Sequence, residues 1–220
     1  MSTGNDIVSI AAINVTRTQE PAFYKKILSA TEILQYQQEH SLLISFVNYV
    51  WLLWSIKESA YKYLQRLDPE TLFSPTKFIV NNLVSPFNSL PQPFSGLVIE
   101  QKGFEEAVAH TARVTHGDHI LYSKSVFYSD LVHSVVNNSE SFDAVNWGIR
   151  AIDSTDDQSQ SEAVRVFLLN KLKTVFADKQ LQISKNEHGA PVILHRQKQL
   201  PVPISFSHHE QFVAYSFIAK

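Results

Sequence analysis

The chain has 220 residues, 44% hydrophobic and 18% charged, enough to bury a sizeable core as one large domain or as two lobes of about 100 residues each. A formal net charge of -2 gives no bulk attraction to nucleic acid or to an anionic membrane, so an anionic ligand needs a local cluster of cations. The absence of cysteine excludes disulfides, thiolate nucleophiles and Cys-type zinc sites and fits a reducing compartment.

Residues 1–6 are short and polar and lack the basic-then-apolar layout of a signal peptide, so cytoplasm is the default expectation. Residues 7–15 (IVSIAAINV) have the small and branched texture of an interior strand, followed by polar residues and then a helix. Ser29 with Glu32 has the capping-box form and predicts a helix to about Gln38. The most apolar run, 42–56, is too short to span a bilayer, which takes about 20 residues.

A helix is predicted over residues 46–66, ending before Asp68-Pro69, because the residue before proline disfavours the α region. Trp51, Ser55, Glu58 and Lys62 fall on one face of it. Beyond Pro75, β-like runs at 77–84, 97–101 and 120–136, the last broken near 128–130, predict a small antiparallel sheet. A lobe boundary is expected around 137–143, a strand over 144–152, a loop at 153–160 and an amphipathic helix over 162–177. Strand-like runs at 181–184, 192–194, 203–207 and 212–219 complete the chain. The closing runs of the two halves, YSDLVHSVV and HEQFVAYSFI, resemble each other weakly and leave an internal repeat open.

Glu58 and Lys62 stand at i and i+4, where opposite charges are neighbours on a helix. An exposed pair at that spacing is ordinarily a solvated salt bridge. Here the apolar residues before it put the pair at the margin of buried surface, where a carboxylate can hold a divalent cation and an ammonium a phosphate. Ser207 and His208 end a β-like run, which is a place from which side chains project, although surface histidines in a turn fit those residues equally well. HxxxH, CxxC, GxGxxG and GxxxxGK-S/T patterns are absent, and no serine sits in a Gly-x-Ser-x-Gly turn, which argues against P-loop, Rossmann, gluzincin and triad hydrolase readings.

Residues 54–62 (WSIKESAYK) match at every specified position the helix motif F/W-S/T-x-K-E-A/S-x-x-K of the 4'-phosphopantetheinyl transferase superfamily, and the chain resembles that family. Residues 12–15 fall where the family has a G-I/V-D-I/V strand, and residues 23–36 are similar to its R-F-x-x-R-I/V-L-x-x-x-E segment. Residues 185–191 and 205–208 are similar to its K-x-x-x-G-K-P and N/S-x-S-H motifs. In two-lobed members of the surfactin-synthetase-activating type those last motifs precede the helix motif, whereas here they follow it. The resemblance is therefore to a version with its lobes in swapped order, or to an enlarged member of the trimeric holo-acyl-carrier-protein synthase type.

What the resemblance implies is an α+β protein of two pseudo-symmetric lobes, each a long helix on a small, mostly antiparallel sheet, divided at 1–138 and 139–220. It implies transfer of 4'-phosphopantetheine from coenzyme A to a serine of an acyl or peptidyl carrier protein, dependent on Mg²⁺ and carried out by a monomer rather than a trimer. By motif position Glu58 is a metal ligand and base, with Asn14 and Thr16 as the remaining metal positions. Lys62 is catalytic, and Lys57, Lys185, Ser207 and His208 contact coenzyme A. Asn14, Thr16 and Ala190 replace two acids and a lysine of the pattern, so the alternative is an impaired homologue that binds a carrier protein or nucleotide without transfer.

Overall fold

In this computed structural model, which describes residues 2–38, 44–87, 91–94, 96–129, 131–177 and 180–219, the chain opens on strand β1 (Gly4–Ser9). Three short helices follow, α1 (Val15–Thr18), α2 (Pro21–Tyr24) and α3 (Ala30–Gln38), and then the long α4 (Phe46–Gln65). Five strands come next: β2 (Ile79–Val84), β3 (Val98–Lys102), β4 (His110–His116), β5 (His119–Tyr128) and β6 (Leu131–Asn137). The remainder is β7 (Val145–Ala151), α5 (Asp157–Val175), β8 (Leu181–Lys185), β9 (Pro191–His195), β10 (Lys198–Gln199), β11 (Ile204–His209) and β12 (Phe212–Ile218).

The fold is α+β with three antiparallel sheets, ordered β1-β6-β5-β4-β2, β11-β12-β7-β3 and β10-β9-β8. Helix α4 is capped by Ser45, whose Oγ accepts from the Asn48 amide at 3.2 Å. Its apolar stripe, including Val50, Leu53, Ile56, Ala60 and Leu64, is buried against Val8, Val80, Val114, Leu121 and Val132 of the first sheet. The opposite face of that sheet supplies Ile7, Val126 and Val135 to a second core shared with Trp147, Ile149 and Ala214 of the second sheet. On the far side of the second sheet, Val164, Leu168 and Leu172 of α5 pack against Val213, Tyr215 and Phe217. The layers thus run α4, sheet, sheet, α5.

β1 begins and ends earlier than the residues 7–15 expected from the pattern. Its register with β6 runs from Gly4↔Val136 to Ser9↔Leu131. β6 starts at Leu131, so beyond Ser9 the backbone has no strand to pair with and closes into a 3₁₀ turn over Ile10–Ala12. The strand expected at 97–101 forms as β3 but joins the second sheet through β7, with Ile99↔Ile149, rather than the sheet of β2, β5 and β6. β4 was hidden in the sequence. Its inward residues His110, Ala112 and Val114 alternate with Thr111, Arg113 and Thr115, too polar a set to read as a strand. The start of the apolar run at Leu42 and the strand break at Asp130 lie outside the described residues.

Where the first and second sheets meet, β1 and β11 lie side by side. The Asn5 amide donates to Ser205 Oγ at 3.1 Å, Asn5 Nδ2 donates to the Ser205 carbonyl at 3.0 Å, and Ser207 Oγ donates to Asn5 Oδ1 at 2.6 Å. Four residues further on in both strands, the Ser9 amide donates to His209 Nδ1 at 3.1 Å. The equal advance means the two strands run in the same direction, joined by side chains rather than by a backbone ladder.

Candidate functional site

Alternation along β1 decides which residues meet α4. Gly4, Asp6 and Val8 face the helix, while Asn5 and Ile7 face the second sheet. Gly4 allows the approach: a Cβ there would stand 1.9 Å from the Ser59 carbonyl oxygen. Ser55 Oγ fixes the next turn by donating to the Asp6 carbonyl at 3.3 Å. Asp6 is consequently held over Glu58 and Lys62.

The Lys62 ammonium donates to Asp6 Oδ1 at 3.0 Å and to the Asn5 carbonyl at 3.2 Å, and lies 4.0 Å from Glu58 Oε1. Asp6 is 6% exposed, and its Oδ2 is buried with no hydrogen-bond partner. Burial raises the Asp6 carboxyl above the usual carboxylate range, against the pull of Lys62. Burial also raises Glu58, with Lys62 lowering it and the Asp6 charge raising it further. Two carboxyl groups share one ammonium in a partly desolvated place.

These three residues line a cavity of about 530 Å³. Trp51, Trp54, Val8 and Phe206 form its apolar surface, and Ser207, His208 and His209 of β11 enter from the second sheet. His208 is lowered from the ordinary imidazole range by burial and by the nearby Lys62 charge. The bond from the Ser9 amide makes His209 Nδ1 an acceptor, so its proton sits on Nε2. Ser207 Oγ is spent on Asn5 at the seam. A second cavity of about 250 Å³ shares Lys62 and Phe206 with the first and continues past Arg66 and Ala190. The Arg66 guanidinium donates to the Pro191 carbonyl at 3.1 Å and to the Ile204 carbonyl, and burial lowers it to about 10.

Of the residues singled out in the sequence, Glu58, Lys62, Ser207 and His208 come together here. Asn14 and Thr16 do not line this cavity. Both are exposed at the start of α1, where Asn14 Oδ1 caps the helix by accepting from the Arg17 amide at 2.9 Å. Lys57 points into the core. It is 0% exposed, and its ammonium donates to Glu32 Oε2 and to the Ile27 carbonyl, each at 2.7 Å. Lys185, exposed at the end of β8, lines neither cavity, although the Asn186–Pro191 turn that follows it borders the second.

Asp6 and Arg66 were not singled out in the sequence. For Asp6 a signal existed: Gly4-Asn5-Asp6-Ile7 fits a G-x-D-I/V strand with both glycine and acid present, eight residues before the Asn14 placement. Among the described residues no group of three or more His, Asp or Glu side chains could hold a metal by itself. A hard cation here would rest on Asp6 and Glu58, with the remaining ligands coming from a bound phosphate or water. No helix among the described residues is long and apolar enough to cross a membrane.

Residues 2–96 match the family model of the 4'-phosphopantetheinyl transferase superfamily. That segment runs from just before β1 to beyond β2 and contains Asp6, Glu58 and Lys62, whereas Ser207 and His208 lie outside it. No curated protein and no solved structure matches the chain.

Proposed function

We propose, from the match of residues 2–96 to the family model of the 4'-phosphopantetheinyl transferase superfamily, that this protein moves 4'-phosphopantetheine from coenzyme A to a serine hydroxyl of an acyl or peptidyl carrier protein. The observation that carries the reading is the Asp6, Lys62 and Glu58 cluster at the head of a groove between α4 and β11, inside the matched segment. The match supports phosphopantetheinyl transfer as a class; the groove supports the assignment of roles.

Asp6 and Glu58 would hold Mg²⁺. The buried, unpartnered Asp6 Oδ2 and the second carboxyl group at Glu58 fit a hard divalent cation. When bound, the ion supplies neutralisation of the charge on the pyrophosphate oxygens of coenzyme A. The register through Asp6 puts Val8, buried in the α4 core, where the family pattern has its second acid. The strand thus contributes one carboxylate instead of two, within the one or two that Mg²⁺ ordinarily takes from protein.

Lys62, whose ammonium lies on Asp6 at the head of the groove, would contact the leaving phosphate. His208, held neutral at physiological pH, offers a hydrogen bond rather than a charge to the nucleotide half. In the transfer the carrier serine oxygen bonds to the phosphorus nearest the pantetheine. The pyrophosphate P–O bond breaks with its electron pair leaving on 3',5'-ADP, and Glu58 takes the serine proton. Lys185 would reach coenzyme A only from beyond the second cavity. Lys57 serves the site by fixing Glu32 beneath α4.

The layering of α4 on one sheet and α5 on the other supports reading residues 1–138 and 139–220 as two lobes in swapped order, with β3 of the first lending a strand to the sheet of the second. Such a chain would build its groove as a cytoplasmic monomer, without nucleic acid or membrane as partner. The test is incubation of the protein with coenzyme A, Mg²⁺ and several apo carrier proteins, followed by intact mass spectrometry. A gain of one phosphopantetheine on a carrier is the predicted result. No gain on any of them contradicts transfer. A second reading, a binding protein without transfer, draws on Val8 and on the engagement of Asp6 by Lys62. Calorimetry with coenzyme A separates the two: Mg²⁺ strengthens binding to the enzyme and leaves binding to the non-catalytic protein unchanged.

A further inference from the structure

The face of the first sheet turned away from α4 carries a separate cavity of about 370 Å³, which shares no lining residue with the groove. It lies where the outward residues of β4 and β5, namely Thr111, Arg113, Tyr122 and Lys124, are roofed by Phe142 and bordered by Glu106. Its volume is within the range of small-molecule sites, about 300 to 1,000 Å³.

The lining carries two cations, Arg113 and Lys124, and two carboxylates, Glu106 and the exposed Glu140, and these charges are unequal in kind. Lys124 is satisfied: it is ion-paired with Glu106 and lies 5.6 Å from the centre of the Phe142 ring. Arg113 is not. Among the described residues its guanidinium has no ion pair, and its Nε is buried without a hydrogen-bond partner. An arginine that only covered its cross-strand neighbour Tyr122 with its aliphatic stem would keep its polar atoms in water. Here the Nε–H is withdrawn from solvent while remaining a permanent cationic donor. Nε–H with the adjacent Nη–H forms the side-on fork that takes two oxygens of a carboxylate or phosphate. The hydroxyls of Thr111 and Tyr122, on the same face, have no partner among the described residues.

We propose that this cleft is a second binding site, for a small molecule carrying a carboxylate or phosphate group, with Arg113 as its anchor. The site is independent of the transfer groove and stands or falls apart from it. The test is the Arg113 Nε–H resonance of ¹⁵N-labelled protein, assigned through its own backbone and followed while inorganic phosphate, or in a parallel arm succinate, replaces chloride at constant ionic strength. A saturable shift of that resonance in either arm is expected, with the responding arm naming the headgroup. The same titration of Lys62→Ala is expected to give the same curve. A resonance that stays put in both arms, or drifts linearly without saturation, overturns the proposal.

Discussion

Asp6 and Lys57 illustrate opposite ways of burying a charge. Asp6 sits where one oxygen is paired and the other is left open, which is the state of a ligand-binding carboxylate. Lys57 is closed on all sides with Glu32, whose Oε1 also accepts from the Val80 amide at 2.8 Å and whose Oε2 accepts from the Ser29 amide at 2.7 Å. Removing one member of such a pair leaves an uncompensated buried charge. Lys57→Met is therefore predicted to cost about 3 to 5 kcal/mol, read as a lower urea midpoint, and a loss below 1 kcal/mol would contradict the structural role. The capping box of Ser29 and Glu32 was legible in the sequence; the second task of Glu32, tying Lys57 to α3, was not, because nothing local signals a partner 25 residues away.

His133 is a third case. It is fully buried against Trp147, with ring centroids 5.1 Å apart, and neither ring nitrogen has a hydrogen-bond partner. Burial, with Lys62 nearby, lowers it from 6.5 to about 3. Between those values the unfolded chain holds one more proton than the folded one, so this histidine makes stability fall as pH drops below about 6.5. The slope is about 1.4 kcal/mol per pH unit. Asp6 and Glu58, raised by burial, slope the other way, so the informative quantity is a difference. In urea unfolding between pH 6.5 and 4, His133→Phe is predicted to lose that part of the acid sensitivity, and an unchanged slope would rule the assignment out.

At the scale of elements, α4 was readable almost to the residue, from its apolar stripe, its cap and the following Asp68-Pro69. β1 was not, because its partner β6 fixes its limits and lies more than 120 residues away in sequence. The strand expected at 7–15 led to Asn14 as its acidic position, whereas β1 as it forms puts Asp6 beside α4. The contact between β1 and α4 rests on Gly4. Gly4→Ala must push the strand off the Ser59 carbonyl, and is predicted to destabilise by about 1 to 3 kcal/mol or more. It should also displace Asp6 from Lys62. A variant that melts like the wild type would mean that the two elements pack less closely than described.

For the whole molecule, the groove depends on a seam between sheets that belong to opposite ends of the chain. Asn5 makes three of its bonds, to Ser205 and Ser207. Its side chain accounts for two of these. Asn5→Ala leaves Ser207 Oγ without its acceptor in a buried place, for a predicted loss of about 1 to 3 kcal/mol by denaturant unfolding. Its effect on any transfer activity should exceed that of an equally destabilising change in α5, since the seam positions His208 and His209. Composition and periodicity yielded the α+β class and both long helices. The pairing of β3 with β7 and the parallel approach of β1 to β11 are long-range choices made by packing, and no local pattern encodes them.

In the proposed site Asp6, rather than Asn14, stands with Glu58. The most direct test of this compares Asp6→Asn with Asn14→Ala in the carrier-loading assay, at saturating Mg²⁺ and with both variants checked for native unfolding midpoints. The account predicts that Asp6→Asn reduces the rate of phosphopantetheine addition by a hundredfold or more, on the order expected for losing a principal charged group of a transfer site, while Asn14→Ala stays within about threefold of wild type. Loss of loading in Asn14→Ala with Asp6→Asn unimpaired would contradict it.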